Sequence, residues 1–402
     1  MTTLLKVLYI FIRGDRSPTA IYGTERRFIK IVQAYEELGS KVFTLERYPS
    51  QRGGYSDRIS FVRIEPSGKN SLLSSLAFSF LACVRGLHSA HEFGIADVIV
   101  SGERNFSNVF PALFLSATFR RPFAVVLHHA KEEVKSNKDH GGRGLLRLLQ
   151  YSARRLIVRR ASLLIAVSDA TRDEFARAFQ ISRDRFLVSG NGVEALPIVE
   201  IGAQRSNDVL YVGRFHQSKG IHLIPPIWKK VTDILPGAKM IMVGGYGNQL
   251  EEFKKEVCSM SLGGSFEVRG YVSEVELGEL FASSKVFVLP SQMEGFSLAT
   301  AQALAYGCVC VVSDLPALRS VFGESVIYAP PADATAFANA IVNILQDQRK
   351  LNTLSKLGFE FSRRFDWNSV ATRELIALQR LIRIDRENTC PVSRIRRQEV
   401  GI

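Results

Sequence analysis

Ser291 to Gly307 reads SQMEGFSLATAQALAYG, between the apolar runs VFVLP (286–290) and VCVVSD (309–314). Short β-rich runs bounded by Pro, Gly and Ser are strand signals, so this stretch stands where a buried strand hands over to a helix. One carboxylate, Glu294, sits beside Gly295 at that junction. Eight positions on, where a second acid would be sought, stands Gln302. Gly295 lets the backbone approach a ligand closely, and the amides of Phe296, Ser297 and Leu298 are placed to meet phosphate oxygens. Glu294 suits the hydroxyls of a sugar; taken alone, it reads equally well as an acid at a helix N-terminus.

Outward from this junction the same alternation covers the chain. The first half has strand candidates at 6–12, 40–46, 96–101, 123–128, 162–168 and 185–190. The second has them at 208–213, 238–244, 265–270, 285–290, 309–314 and 325–330. Two sets of about six strands interleaved with helices predict an α/β chain with two doubly wound parallel sheets. Residues 1–194 and 208–366 form the two expected domains, and 195–207 the linker. An amphipathic helix over 367–386 and a basic tail over 387–402 complete the chain. Open α/β sheets bind ligands at the carboxyl ends of their strands, so two in tandem are expected to place a cleft between them.

A length of 402 residues suits two domains, and 46% hydrophobic with 23% charged residues is globular composition. The five cysteines are scattered, with no zinc or disulfide spacing, which fits a reducing, cytoplasmic setting. MTTLLKVLYIFIRGD has neither the basic region nor the cleavage site of a signal peptide, and the uncharged stretch Asn70–Val84 is too short for a bilayer span. The net charge of +13 is uneven. Residues 1–200 hold 29 basic against 19 acidic side chains, a net of +10. A basic half implies an anionic partner: a phosphorylated substrate, a membrane surface or nucleic acid.

After DVLYVG comes RFHQSKG (214–220), in which Arg214 and Lys219 flank a strand-to-helix loop closed by Gly220. Two cations beside free helix N–H groups make an anion site suited to a diphosphate. A solvated surface Arg and Lys is the other reading. In the first half, His128 ends the strand FAVVLH. A lone strand-end histidine is more often structural than functional.

The pattern GRF…KG, MVGGYG, VRGYVS and LPSQMEGFSLATAQALAYG resembles the C-terminal half of glycosyltransferase family 4, retaining enzymes of the GT-B fold. The resemblance takes in Gly213, Arg214, Lys219, Gly220, Gly244, Gly270, Pro290, Ser291, Glu294, Gly295, Phe296, Leu298, Ala303 and Gly307. In the first half YGTERRF (22–28) resembles the family's glycine-rich first loop, with Tyr22 where its first glycine would be. AVSDATRDEF (166–175), SGNGVE (189–194) and FDW (365–367) resemble the segments around its domain crossing.

The resemblance implies two Rossmann-like domains facing a cleft, with a C-terminal helix crossing back to the first. It implies metal-independent transfer from a nucleotide-diphosphate sugar, a co-substrate rather than a cofactor, to a glycan or lipid-linked acceptor. Arg214 and Lys219 would hold the diphosphate, with Gly213 beside them, and Glu294 the donor sugar. His128, six residues after Pro122, matches the family's active-site histidine, and Gly23 would admit the reacting centre. The family's Glu-x7-Glu pattern is broken at Gln302, which can still accept and donate but carries no charge. That departure and Tyr22 in the first loop favour an alternative, a sugar-nucleotide-binding or partner protein without transfer activity. A nucleic-acid-binding protein is the weaker alternative, because the arginines are not interleaved with stacking aromatics. Finally, His140–Ser168 holds six arginines (Arg143, Arg147, Arg154, Arg155, Arg159, Arg160) and no acid. This suits either an anionic membrane face, with the protein peripheral on its inner side, or a packed helix with arginines in solvent.

Overall fold

The computed structural model describes residues 5–11, 23–46, 60–63, 72–104, 106–128, 158–194, 205–245, 248–260, 262 and 264–389. The expected first loop before Gly23, Arg143–Arg155, most of the linker and the end of the tail lie outside them. The chain forms two compact units. One comprises Met1–Gly190 with Trp367–Ile402, the other Asn191–Asp366.

The first unit is built on a parallel sheet in the order β3-β2-β1-β4-β5-β6-β7. Its strands are β1 (Lys6–Phe11), β2 (Lys41–Glu46), β3 (Ser60–Arg63), β4 (Val98–Ser101), β5 (Phe123–Leu127), β6 (Leu163–Ala166) and β7 (Phe186–Val188). Every residue of β4 and β5 is buried, as expected of inner strands covered by helices on both faces. Those helices include α1 (Gly23–Glu37), α2 (Leu72–Phe93), α3 (Phe106–Phe119) and α4 (Asp169–Phe179). The strand β3 was not anticipated. It is a four-residue edge strand, SFVR, with two apolar residues, too short to register as a period.

The C-terminal helix (Trp367–Thr389) belongs to this unit and packs on α1. Arg27 of α1 forms an ion pair with Glu374 at 1% and 0% side-chain exposure. Tyr35 donates to Glu374 Oε2 at 2.6 Å, and Arg27 Nη2 to Ser189 Oγ at 3.3 Å. Arg373 donates to the Ser189 carbonyl at 2.8 Å, so both basic residues fix the chain where it leaves β7. Burial of the guanidinium works against its charge, yet Glu374 holds it above its ordinary pKa. Burial first, then Glu374, holds the Tyr35 phenol well above its own.

The second unit repeats the winding in its order β10-β9-β8-β11-β12-β13. Strands β8 (Asn207–Val212), β9 (Met240–Val243), β10 (Phe266–Arg269), β11 (Ser284–Leu289), β12 (Val309–Ser313) and β13 (Ile327–Ala329) are all parallel. Between and after them run α5 (Ile224–Ile234), α6 (Asn248–Ser259), α7 (Glu274–Ala282), α8 (Leu298–Ala305), α9 (Pro316–Phe322), α10 (Ala334–Leu345) and α11 (Gln348–Ser362). Local chemistry sets their starts. Ser273, Asp333 and Asp347 accept from N–H groups of the first turns of α7, α10 and α11, each such cap contributing about 1 kcal/mol. The buried Trp228 of α5 donates Nε1–H to Ser265 Oγ at 3.1 Å, satisfying the one polar atom of the largest core side chain.

Candidate functional site

In each sheet the chain winds outward one way from the first strand, crosses over, and continues the other way. The switch point lies between β1 and β4 in the first unit and between β8 and β11 in the second. In doubly wound sheets this is where the loops at the strands' carboxyl ends part and a ligand fits.

In the second unit the loops after β8 and β11 meet across this point. Register brings Val209 beside Val286, so both strands deliver their loops to one rim. The chain leaving β8 passes Gly213, Arg214 and the buried Phe215, then makes a tight turn over Gln217–Lys219. His216 caps that turn, its Nδ1 accepting from the Ser218 N–H at 3.1 Å. Gly220 ends it at φ +68°, where a Cβ would lie 1.8 Å from the Pro290 carbonyl oxygen. No other residue fits, and the Gln292 N–H donates to the Ser218 carbonyl at 2.9 Å alongside. The two loops are thus locked together.

That lock aims Lys219 at Glu294. Their Nζ–Oε1 distance is 2.7 Å, at 22% and 6% side-chain exposure. The fully buried Ser291 donates to the same carboxylate oxygen at 2.9 Å. Tyr211 lies below: its hydroxyl donates to the Arg214 carbonyl at 3.2 Å. Burial first, then the Glu294 carboxylate, holds its phenol well above the ordinary value, against the pull of Arg214. Tyr211 therefore stays neutral and keeps its proton to donate. At the end of β9, Gly244 adopts φ +128°, and a Cβ there would come 1.9 Å from the Gly213 carbonyl oxygen.

The stretch after Glu294 starts α8. Ser297, its N-cap, takes φ +73°, a conformation that costs a non-glycine residue about 1–3 kcal/mol and gathers at functional sites. Its hydroxyl accepts from the Thr300 N–H at 3.3 Å. The N–H groups of Phe296, Ser297 and Leu298 donate to no acceptor among the described residues. The Phe296 ring turns inward onto Phe322 and Phe365, leaving only its backbone to the rim. Gln302 is 7% exposed in the middle of α8.

Of the residues singled out from sequence, the structure pairs Lys219 with Glu294 directly and ranges Gly213, Arg214, Gly295, Phe296, Ser297 and Leu298 along the same two loops. His128 and Gly23 belong to the first unit. His128 follows β5 half-buried, its Nε2 3.2 Å from the Gly102 carbonyl oxygen; since a carbonyl only accepts, Nε2 carries the proton. Gly23 is not a loop residue: it is the first residue of α1, and exposed. Two contributors went unassigned in the sequence. Ser291 and Tyr211 buttress the acid and the cationic loop; Ser291 belonged to the family resemblance but was given no role there.

Comparison with known proteins places both units. Residues 22–192 match the Glycosyl transferase 4-like domain, and residues 199–361 match Glycosyl transferases group 1. The O-antigen chain mannosyltransferase B of Escherichia coli is 24% identical over 233 residues, 55% of this chain and 61% of the relative. The chain thus spans about three fifths of that curated relative. Among solved structures, sucrose-phosphate synthase from Thermosynechococcus elongatus superposes with a TM-score of 0.76 at 20% identity, covering 94% of this chain and all of the other. Anabaena Alr3699/HepE, solved in complex with UDP-glucose, gives 0.72 at 19% identity over 93% and 99% of the two chains.

Proposed function

Because the chain belongs to glycosyltransferase family 4, its two halves matching two successive domains of such enzymes, we propose that it moves a sugar from a nucleotide-diphosphate sugar to a glycan or lipid-linked acceptor, with retention of configuration and without a metal ion. The observation that carries this reading is the Lys219–Glu294 pair at the switch point of the second unit. A cation for a diphosphate and an acceptor for sugar hydroxyls stand 2.7 Å apart, on loops that touch at Gly220 and Pro290 and share a backbone hydrogen bond. In the structure they satisfy each other. Donor replaces that contact on both sides, Lys219 and Arg214 taking the diphosphate and Glu294 the sugar.

The chemistry follows from charge. As the bond from the anomeric carbon to the diphosphate oxygen breaks, its electron pair stays on the diphosphate. Fixed cations and the unbonded N–H groups at the start of α8 stabilise that growing charge without reorganising. Each charge-assisted contact contributes about 1.5–3 kcal/mol, hence roughly ten- to hundredfold in rate. His128 hydrogen-bonds the sugar or phosphate, its Nε2–H giving up the Gly102 carbonyl to do so. Gln302 takes the ribose hydroxyls through its amide. The donor class is supported by the UDP-glucose complex of the Anabaena protein, and the acceptor class by the mannosyltransferase relative. An anionic membrane face serves as the place of work for a lipid-linked acceptor.

The competing reading, a sugar-nucleotide-binding protein without transfer activity, draws on Gln302 and on Tyr22 in the first loop. Lys219→Ala and Glu294→Ala separate the two. With folding verified by circular dichroism, each is expected to lose ten- to hundredfold or more of transfer or donor hydrolysis over a panel of UDP-, GDP- and ADP-sugars. Near-normal turnover in either variant would refute the site. A thermal shift with donor but no turnover in the unmodified protein would establish the competing reading.

A further inference from the structure

On the first unit, α2 and α3 lie side by side over the sheet. They approach so closely that a Cβ on Gly86 of α2 would lie 2.4 Å from Leu115 Cδ1 of α3. Each turns its small and apolar residues inward, Ala82, Cys83 and Gly86 on one, Val109, Ala112 and Leu115 on the other. The opposite faces should be polar. Instead they expose Phe80 (70%), Val84 (44%), Phe110 (40%) and Phe114 (39%), at i and i+4 on each helix. Four large exposed apolar side chains thus share two neighbouring helices, which marks an interaction surface.

The charges around this face select its occupant. Residues 70–91 and 104–131 contain no aspartate or glutamate, while Arg85 and Arg120 are exposed at its margins. A second copy of the chain would bring one basic rim against another, in a molecule already carrying +13. An anionic lipid surface satisfies both features. Phenylalanines enter the boundary between headgroups and acyl chains, and arginines stay with the headgroup phosphates. Among the described residues no helix is long and apolar enough to cross a membrane, so the attachment is by a face. We propose that the outward face of α2 and α3 docks this protein on anionic lipid, with Phe80 and Phe114 as its inserting side chains. The purpose rests on the reading of a membrane-linked acceptor; the binding itself does not.

The test is co-sedimentation of the full chain, without donor or acceptor, with phosphatidylcholine vesicles that contain or lack phosphatidylglycerol. The protein is expected to bind only the anionic vesicles. Phe80→Ser with Phe114→Ser should weaken that binding about tenfold or more, since both lost side chains supply apolar insertion. Both positions are exposed, so the thermal shift with sugar nucleotide should be unchanged, which separates this proposal from the donor-site reading. As a check that needs no loss of function, Phe80→Trp should blue-shift in fluorescence on anionic vesicles. Unchanged binding by the double variant overturns the proposal, as does binding lost only when Arg143, Arg147 and Arg154 become serine. Absence of vesicle binding, or a dimer that the double variant dissolves, overturns it too.

Discussion

Glu374→Ala tests the buried pair that fastens the C-terminal helix. The guanidinium of Arg27 is 1% exposed, and its Nε and Nη1 have no acceptor among the described residues, so Glu374 is its charge partner in the described core. Removing the carboxylate leaves a buried cation uncompensated and takes the acceptor from the Tyr35 hydroxyl. Breaking one side of a buried pair costs about 3–5 kcal/mol. The two losses share one carboxylate and are not summed. For a unit of this size about 4 kcal/mol corresponds to a fall in Tm of roughly 8–16 °C. Scanning calorimetry reads it directly, and saturating sugar nucleotide, on the proposed reading a ligand of the second unit, separates the two transitions. Arg27→Met with Glu374→Leu should recover most of the loss, because apolar side chains can replace a buried ion pair at little cost. Tyr35→Phe, which removes one hydrogen bond to a charged group, should cost about 1.5–3 kcal/mol. A Tm change below about 2 °C for Glu374→Ala would refute the reasoning, as would a double variant no more stable than the single one.

Gly220→Ala should abolish the donor-induced thermal shift and destabilise the second unit by several kcal/mol, since its Cβ would meet the Pro290 carbonyl at 1.8 Å in a left-handed conformation; a normal shift would show that the loops are not locked. Gln302→Glu should retain transfer and bind donor at least as tightly by calorimetry, because glutamate keeps the shape and adds a charged acceptor for ribose; a clear loss of affinity would show that Gln302 holds something else. Alkaline pH should destabilise both units. Burial raises the phenols of Tyr9, Tyr35 and Tyr211 well above 10.0 and that of Tyr328 to about 12. A folded-state pKa above the unfolded value means the native state holds the proton longer. The stabilisation is complete below pH 10 and falls as pH rises through the folded values. Absorbance at 295 nm should therefore record these phenols ionising together with unfolding, and a smooth titration of the folded protein near pH 10 would refute it.

Much of the fold was legible because inner parallel strands bury both faces. FAVVL and VCVVS are almost wholly apolar and rich in valine, as that setting favours, and the turn residues after such strands mark the rim. What remained illegible was short or distant. The edge strand β3 has too few apolar residues to repeat, and Gly23 belongs to a helix whose first turn looks like a loop in sequence. The contact between Lys219 and Glu294 joins residues 75 apart, and the one between Arg27 and Glu374 joins residues 347 apart. No local period encodes either. The first follows from the β8–β11 register, the second from a helix returning to the first unit after the whole of the second has been traversed.

The repeated winding gives the two units comparable rims, and their difference argues for the division of labour proposed above. Around β8 and β11 the rim carries a cation, a carboxylate, a serine aimed at that carboxylate and the capped start of α8. At the matching place in the first unit, β4 ends in Ser101 and Gly102. Ser101 donates to the Glu103 carbonyl at 2.7 Å, and Gly102 accepts from His128. The described part of that rim thus offers an imidazole and backbone groups where the second offers paired charges. A site built only to recognise neutral hydroxyls would not need Lys219 beside a 6%-exposed acid, because desolvating both has a cost that only charged substrate groups repay. The proposed reading accordingly gives the charged end of the donor to the second unit. Replacing Lys219 should weaken free nucleoside diphosphate and whole donor alike, whereas replacing His128 should slow transfer and leave nucleoside diphosphate affinity unchanged. A His128→Ala variant with nucleoside diphosphate binding weakened as much as in Lys219→Ala would show that the phosphates are not held by the second unit alone.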